Sequence, residues 1–323
     1  MSDMSDIGLR NITSTRQVLA QKTRDLPFIS ISIITFNAGE TIDRCLQSLF
    51  ALDYPRKRFE VLIVDAGSID TTLQIARSYP VSVITEPRKN RGYSRNTAVE
   101  NSKGDIIAFI DADCVAARNW LKEHVRIHED PNILVVGGSV VQGGDTSLPA
   151  TIFHETYFAA QSPNLSRHPT WDLATCNASF KRTTFWQVGL FPEVHRGEDS
   201  LLCWQVLKKG YLVIFDPTPQ VVHLHGKFGF NTLFNRSREQ GEADREIQDA
   251  FGLDSPLRLP RGRLSTTVFL PSLAAARFGR YLFEIVHASD KMKAISSFPV
   301  LVAISLLWTI GYFGATRSQM KSH

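Results

Sequence analysis

The chain has 323 residues, 43% of them hydrophobic and 21% charged, and carries a formal net charge of +4. That composition excludes a disordered or fibrous chain and leaves room for one large domain with an appendage, while the basic excess is too small to argue for nucleic acid. The four cysteines, Cys45, Cys114, Cys176 and Cys203, form no C-x-x-C pair, so a zinc site and a disulfide framework are excluded and a reducing compartment is expected.

Residues 1–27 are polar and contain no apolar core of the kind a signal peptide needs, so they are expected as an N-terminal extension. An apolar strand follows at 28–35. Residues 38–52 then carry Ile42, Cys45, Leu46, Leu49 and Phe50 at helical spacing. The run 59–64 reads as a second strand ending on Asp65, and Gly67-Ser68 supply a turn and N-cap for a helix over 70–79. A short strand at 81–85, a helix at 94–102 stopped by Gly104, and a strand at 105–110 complete the first half. Such strand–helix–strand repeats imply parallel strands with right-handed crossovers, hence a doubly wound α/β sheet. Ligands bind such sheets at the strands' carboxyl ends, where Thr35, Asp65, Asp111 and Asp113 all fall.

The fourth of these strands ends on Asp111-Ala112-Asp113. If the strand continued, period-2 geometry would point both carboxylates the same way. Two such acids repel unless a positive group lies beside them, and a hard divalent cation with oxygen ligands meets that need. An acidic turn closing the strand is the plainer alternative.

The middle of the chain is less regular. Gly137, Gly138, Gly143 and Gly144 flank a strand at 139–142; helices are expected at 182–188 and 198–208, and a strand at 211–215 stopped by Pro217 and Pro219. Residues 231–249 read as a polar surface helix. The apolar segment 266–276 is too short to span a bilayer and suggests an interfacial helix. Residues 298–316 hold no charge, and at 1.5 Å per residue they would reach roughly 28 Å, close to the ~30 Å hydrocarbon core of a bilayer. A transmembrane helix is therefore expected there, against the alternative of a buried core helix. Basic residues are denser before it than after it, which places the long N-terminal part in the cytoplasm by the positive-inside rule. No G-x-G-x-x-G, P-loop, H-E-x-x-H or G-x-S-x-G motif occurs.

Read in order, the chain offers Ile31-Ser32-Ile33-Ile34-Thr35-Phe36-Asn37, Cys45-Leu46-Gln47-Ser48-Leu49, and Val61-Leu62-Ile63-Val64-Asp65-Ala66-Gly67-Ser68. Arg91-Gly92-Tyr93-Ser94-Arg95-Asn96, Asp111-Ala112-Asp113, Thr175-Cys176-Asn177-Ala178-Ser179-Phe180, Gly197-Glu198-Asp199 and Pro219-Gln220-Val221-Val222-His223 follow. This series resembles the family 2 glycosyltransferases of the GT-A fold, over 29–226, about 60% of the chain. The resemblance implies a GT-A-type doubly wound, mostly parallel sheet with a mixed acceptor-side half over 28–230. Surface and interfacial helices at 231–297 and a membrane helix at 298–316 would form a C-terminal membrane-associated tail.

The same resemblance implies an inverting transfer from a nucleotide-sugar donor. Asp113, with Asp111 and His223, would hold Mn²⁺ or Mg²⁺; Thr35, Asn37, Asp65, Gly92, Arg95, Asp111 and Ala112 would bind the nucleotide sugar. Asp199 would be the base, and Glu198 would orient it or bind acceptor. The family commonly has a second acid where this chain has Ala66, which leaves the donor's nucleobase open. The Q-x-x-R-W block of the processive synthases is missing, since Gln240-Gly241-Glu242-Ala243-Asp244-Arg245 has neither its spacing nor its Trp, so addition of a single sugar is expected. The acceptor would be a glycan or lipid-linked saccharide, the location the cell membrane (single-pass or peripheral), and no nucleic-acid partner is implied. A sugar-nucleotide nucleotidyltransferase would need a G-x-G-T-R loop that Thr35-Phe36-Asn37-Ala38-Gly39 does not supply. A silent scaffold would not need to keep Asp111, Asp113 and Asp199.

Overall fold

The computed structural model describes residues 26–194, 196–251, 263–288 and 291–314. The N-terminal extension lies almost wholly outside them, as do the last two residues of the expected membrane helix. In chain order the strands are β1 (Ile29–Thr35), β2 (Phe59–Asp65), β3 (Ser82–Thr85), β4 (Ile106–Asp111), β5 (Cys114–Ala116), β6 (Ile133–Gly144), β7 (His168–Pro169), β8 (Asn177–Lys181) and β9 (Leu212–His225). The helices are α1 (Ile42–Phe50), α2 (Thr72–Ala76), α3 (Arg91–Asn101), α4 (Trp120–Ile127), α5 (Leu148–Tyr157), α6 (Arg182–Gln187), α7 (Glu198–Lys208), α8 (Phe230–Phe251), α9 (Arg263–Ala288) and α10 (Lys291–Gly314).

The strands form one sheet in the order β3-β2-β1-β4-β8-β6-β9-β5, with β7 paired to β9. β3, β2, β1 and β4 run parallel, and β8 joins β4 antiparallel, which begins the mixed half. Because side chains alternate, Ile29, Ile31 and Ile33 pack with Leu46, Leu49 and Trp120 in one core. Leu62, Val64, Ile107 and Phe109 pack with Phe180, Phe191 and Phe215 in the other. Burying each of these large side chains stabilises the fold by about 1.5–3 kcal/mol relative to exposure.

β9 corrects the expectation of a strand stopped by Pro217 and Pro219. It runs on to His225, parallel to β6, and the pairing jumps from Gly137↔Phe215 to Ser139↔Gln220. The prolines sit in that irregularity, where their missing N–H costs no ladder bond. Asp216 caps the local turn through Thr218 N (3.0 Å), and Pro217 O accepts from Ser139 Oγ (2.9 Å). The continuation pairs Cys114↔His223 and so carries His223 back to the end of β4. β6 is likewise one strand rather than the short 139–142 piece. Helices α4 and α5 were not expected from the sequence.

A buried polar chain ties α4 to β8. Asn177 Oδ1 accepts from Trp120 Nε1 (2.7 Å) and faces His124 Nε2 (3.2 Å). Ser179 Oγ lies 2.8 Å from both His124 Nδ1 and His128 Nε2, and His128 Nδ1 is 3.3 Å from Ile133 O. Both ends of this chain are acceptors, so four contacts share three protons when both imidazoles are neutral. Burial nevertheless lowers His124 from 6.5 to about 4 and His128 to about 3. Unfolded, these rings take up protons below about 6.5. Folded, they resist, so the stability they contribute is intact above that pH and is lost as pH falls towards their folded values. We expect thermal midpoints to be flat from pH 8 to 7 and to drop from about pH 6.5 towards 4, with His124→Gln shallower than the parent. Parallel curves would remove these rings as the cause.

The C-terminal helices pack on one another and on α5, with Ile152, Leu233, Tyr281, Leu301 and Ile304 in one cluster. α8 is packed between the domain and α10, with Leu233, Ser237, Ala243, Asp244 and Ile247 buried. α8 and α10 approach closely at two glycines: a Cβ on Gly241 would overlap the Trp308 carbonyl, and one on Gly311 the Arg238 carbonyl. Asp244, buried on α8, accepts from Trp308 Nε1 (2.9 Å) and Gln240 Nε2 (2.9 Å), and Arg277 of α9 stacks on the Trp308 ring at 4.8 Å. The expected interfacial piece 266–276 and membrane segment are parts of longer helices, α9 and α10.

Candidate active site

A cavity of about 430 Å³ opens where β4, α3, α7 and β9 meet, and Arg91, Arg95, Asp111, Asp113, Glu198, Asp199 and His223 line it. The strand β4 stops at Asp111 and turns, so Asp111 and Asp113 do not share a continuing strand, yet both carboxylates reach the cavity. Ala112 is buried between them.

Among the described residues, the side chains grouped tightly enough for a metal ion are Asp113, Cys114 and His223, with ligand atoms all within 4.8 Å. His223 Nε2 stands 3.6 Å from Asp113 Oδ2. Cys114 is fully buried, and burial pushes its thiol far above the usual range, so it stays protonated and is a poor donor for a hard cation. Asp111 lies outside this group. Burial, and Asp111 after it, lift the Asp113 carboxyl above its ordinary value while His223 opposes them. A carboxylate raised this way, with the Nε2 of His223 facing it, fits a divalent cation.

Asp199 and Glu198 open α7, and their roles separate by burial. Asp199 Oδ2 accepts from Thr175 N (3.2 Å) and Thr175 Oγ1 (3.4 Å), Ser200 N reaches Oδ1 (3.0 Å), and the carboxylate borders the cavity. Glu198 is buried behind it, in contact with the buried guanidinium of Arg95. Arg95, expected at a diphosphate, lines the cavity and also pairs with Glu198. Burial pulls its pKa down, against the acids around it. Arg91, one helical turn earlier, lies nearer the solvent, and Tyr157, Asp111 and Asp199 outweigh its burial and hold it charged. Arg91 was not among the binding residues expected from the sequence. Asn90 caps α3 by accepting from Tyr93 N, so the helix starts three residues earlier than expected and carries Arg91 on it.

Thr35, Asn37, Asp65, Gly92 and Ala112 do not line this cavity. Asp65 is spent on its own loop, accepting from Gly67 N (2.9 Å), Ser68 N (2.9 Å) and Ser68 Oγ (2.5 Å). Asn37, at φ 50°, accepts from Ile69 N (2.9 Å) and donates its own N–H to Ser68 Oγ (2.8 Å), which stitches the loops after β1 and β2 together. Thr35 is buried with its hydroxyl unpartnered. Gly92 is needed for close packing: a Cβ there would lie 2.6 Å from Pro192 O. The cavity's far wall comes from residues the sequence did not single out, chiefly Tyr157 and Phe158 with Leu233, Arg236 and Tyr281 of the C-terminal helices.

Residues 30–189 match the family model described as Glycosyl transferase family 2. Glycosyltransferase AglE of Haloferax volcanii is 37% identical over 124 residues, covering 36% of this chain and 41% of that protein. The dolichyl N-acetyl-α-D-glucosaminyl phosphate 3-β-D-2,3-diacetamido-2,3-dideoxy-β-D-glucuronosyltransferase of Methanococcus voltae is 30% identical over 125 residues, covering 35% and 39%. The matched stretch thus spans about two fifths of each relative's length. Among solved structures, the mannosyltransferase PcManGT from Pyrobaculum calidifontis in complex with GDP-Man and Mn²⁺ superposes with a TM-score of 0.60 at 19% identity, over 90% of this chain and 88% of that one.

Proposed function

The chain carries a glycosyl transferase family 2 domain of GT-A fold, and from that premise we propose a metal-dependent, inverting transferase that adds one sugar from a nucleotide-diphosphate donor to a lipid-linked acceptor hydroxyl at a membrane. The observation that carries this reading is that Asp199 and the Asp113–His223 pair border the same cavity. Mn²⁺ or Mg²⁺ would be held by Asp113 and His223, and when bound would offset charge building on the departing diphosphate. Asp111 lies on the nucleotide side, and Arg91 adds positive field beside it. Asp199 takes the acceptor hydroxyl's proton as that oxygen attacks the anomeric carbon opposite the leaving group. Glu198 holds Asp199 in place through Arg95, and the stitched loops of Thr35, Asn37 and Asp65 form the edge against which the base and ribose lie.

A lipid-linked acceptor is supported by Phe153 and Tyr157 of α5, Leu233 and Ile247 of α8 and Tyr281 of α9 in the cavity wall, and by the dolichyl group in the Methanococcus relative's name. The catalytic domain sits on the cytoplasmic face.

The test is hydrolysis and transfer of nucleotide sugars by the full chain with and without Mn²⁺, beside calorimetry of nucleoside diphosphate binding. We expect Mn²⁺ to tighten binding and Asp113→Ala to abolish the increment, because the ion loses its main protein oxygen. An unchanged metal-dependent affinity in Asp113→Ala would remove the assignment to Asp113. No turnover with any donor would favour a silent scaffold.

A further inference from the structure

α10 is long and apolar enough to cross a bilayer, but its surroundings divide its two sides. Leu301, Ile304, Trp308 and Tyr312 are buried against α8 and α9, whereas Phe298, Val302, Leu306 and Ile310, spaced by four, are 38–57% exposed along one flank. The partner helix α8 has eight charged residues among its 22. Arg238 abuts Gly311, Asp244 bonds Trp308, and Arg245 lies 5.6 Å from the Tyr312 ring. Carrying α10 across a bilayer while it stays on α8 would draw those charges into hydrocarbon, which membranes reject.

Charge gives the second observation. Residues 255–323 hold nine lysines and arginines against two acids, a net +7, while the whole chain is +4, leaving the remainder net −3. The basic excess is thus confined to the segment that carries the apolar flank. An exposed apolar stripe on a locally basic segment is the pattern of an element lying in an interface, its apolar side in the acyl boundary and its cations among anionic headgroups.

We propose that α10 lies in the plane of an anionic lipid surface and docks through Phe298, Val302, Leu306 and Ile310, rather than crossing the bilayer. This deepens the membrane element of the proposed function and rests on it. The helices that wall the cavity are the ones that hold α10, so the docking surface and the acceptor chamber belong to one layer.

Flotation of the full chain with vesicles of phosphatidylcholine, and with vesicles of equal parts phosphatidylcholine and phosphatidylglycerol, tests it. Binding to the mixed vesicles should be at least about tenfold tighter and should be released by alkaline carbonate. The pair Leu306→Glu and Ile310→Glu should lose at least about tenfold in binding. Leu306→Ser with Ile310→Ser, a milder change, should lose less, with near-ultraviolet circular dichroism and nucleoside diphosphate affinity at parent values. Resistance to carbonate would mean a span; equal binding to both vesicles, or undiminished binding by both folded variants, would also overturn the proposal. Nucleotide-sugar hydrolysis without vesicles reports on the transferase reading separately, since none of the four flank residues lines the cavity.

Discussion

Asp199→Asn lowers kcat by about 10² to 10⁴ and leaves donor affinity close to the parent value. The amide preserves size and its single oxygen can still accept from Thr175 N and Oγ1, giving up only the contact from Ser200 N, so the cavity wall keeps its shape. What it cannot do is take a proton at neutral pH. Glu198→Gln acts differently, because Glu198, though it borders the cavity too, is buried and paired with Arg95. Its turnover should fall less, and its thermal stability more, since Arg95 would keep a buried charge without its counter-ion. The measurement is kcat, donor affinity and thermal midpoint for both variants with a working acceptor. A dead Glu198→Gln enzyme beside a near-normal Asp199→Asn enzyme would exchange the two roles.

Arg95→Ala should destabilise the fold by about 3–5 kcal/mol, the usual consequence of stranding one member of a buried ion pair. Arg95→Met combined with Glu198→Gln should recover most of that, because two neutral groups of similar volume need no charge compensation. Turnover should not recover with it: the double variant is expected to keep its donor affinity and still lose kcat, as Asp199 is no longer held from behind. Arg95→Lys should restore part of both. Thermal denaturation read beside kcat and KM separates the two effects. Full activity in the stable double variant would reduce Arg95 to a packing residue.

In the parallel half, β1, β2 and β4 were legible because they are buried on both faces and read as largely apolar runs between helical spacings. The mixed half was not. β9 looked finished at two prolines, which instead occupy the irregularity where its pairing with β6 jumps. α4 buries Trp120, Leu121, His124 and Ile127 on one face, a helical spacing disguised by a histidine in the core. In the site, Asp111, Asp113, Glu198 and Asp199 were visible as acids at element ends. Roles for them, and for His223, came from the family resemblance alone, because their geometry depends on long-range register: the Cys114↔His223 pairing sets His223 beside Asp113. Likewise Arg91 and Arg95 are alike in sequence. Both line the chamber, and only the approach of α7 to α3 pairs Arg95 with Glu198 and leaves Arg91 exposed.

The close approach of α8 and α10 at Gly241 and Gly311 has an evolutionary consequence. Neither glycine lines the cavity, yet α8, which they locate, supplies part of its wall. Any larger residue at either position must prise the helices apart and re-aim Leu233, Arg236 and Gln240 inside the chamber. Acceptor preference in descendants of this chain can therefore drift through two sites that never meet a substrate, and a search for selectivity determinants confined to the chamber would overlook both.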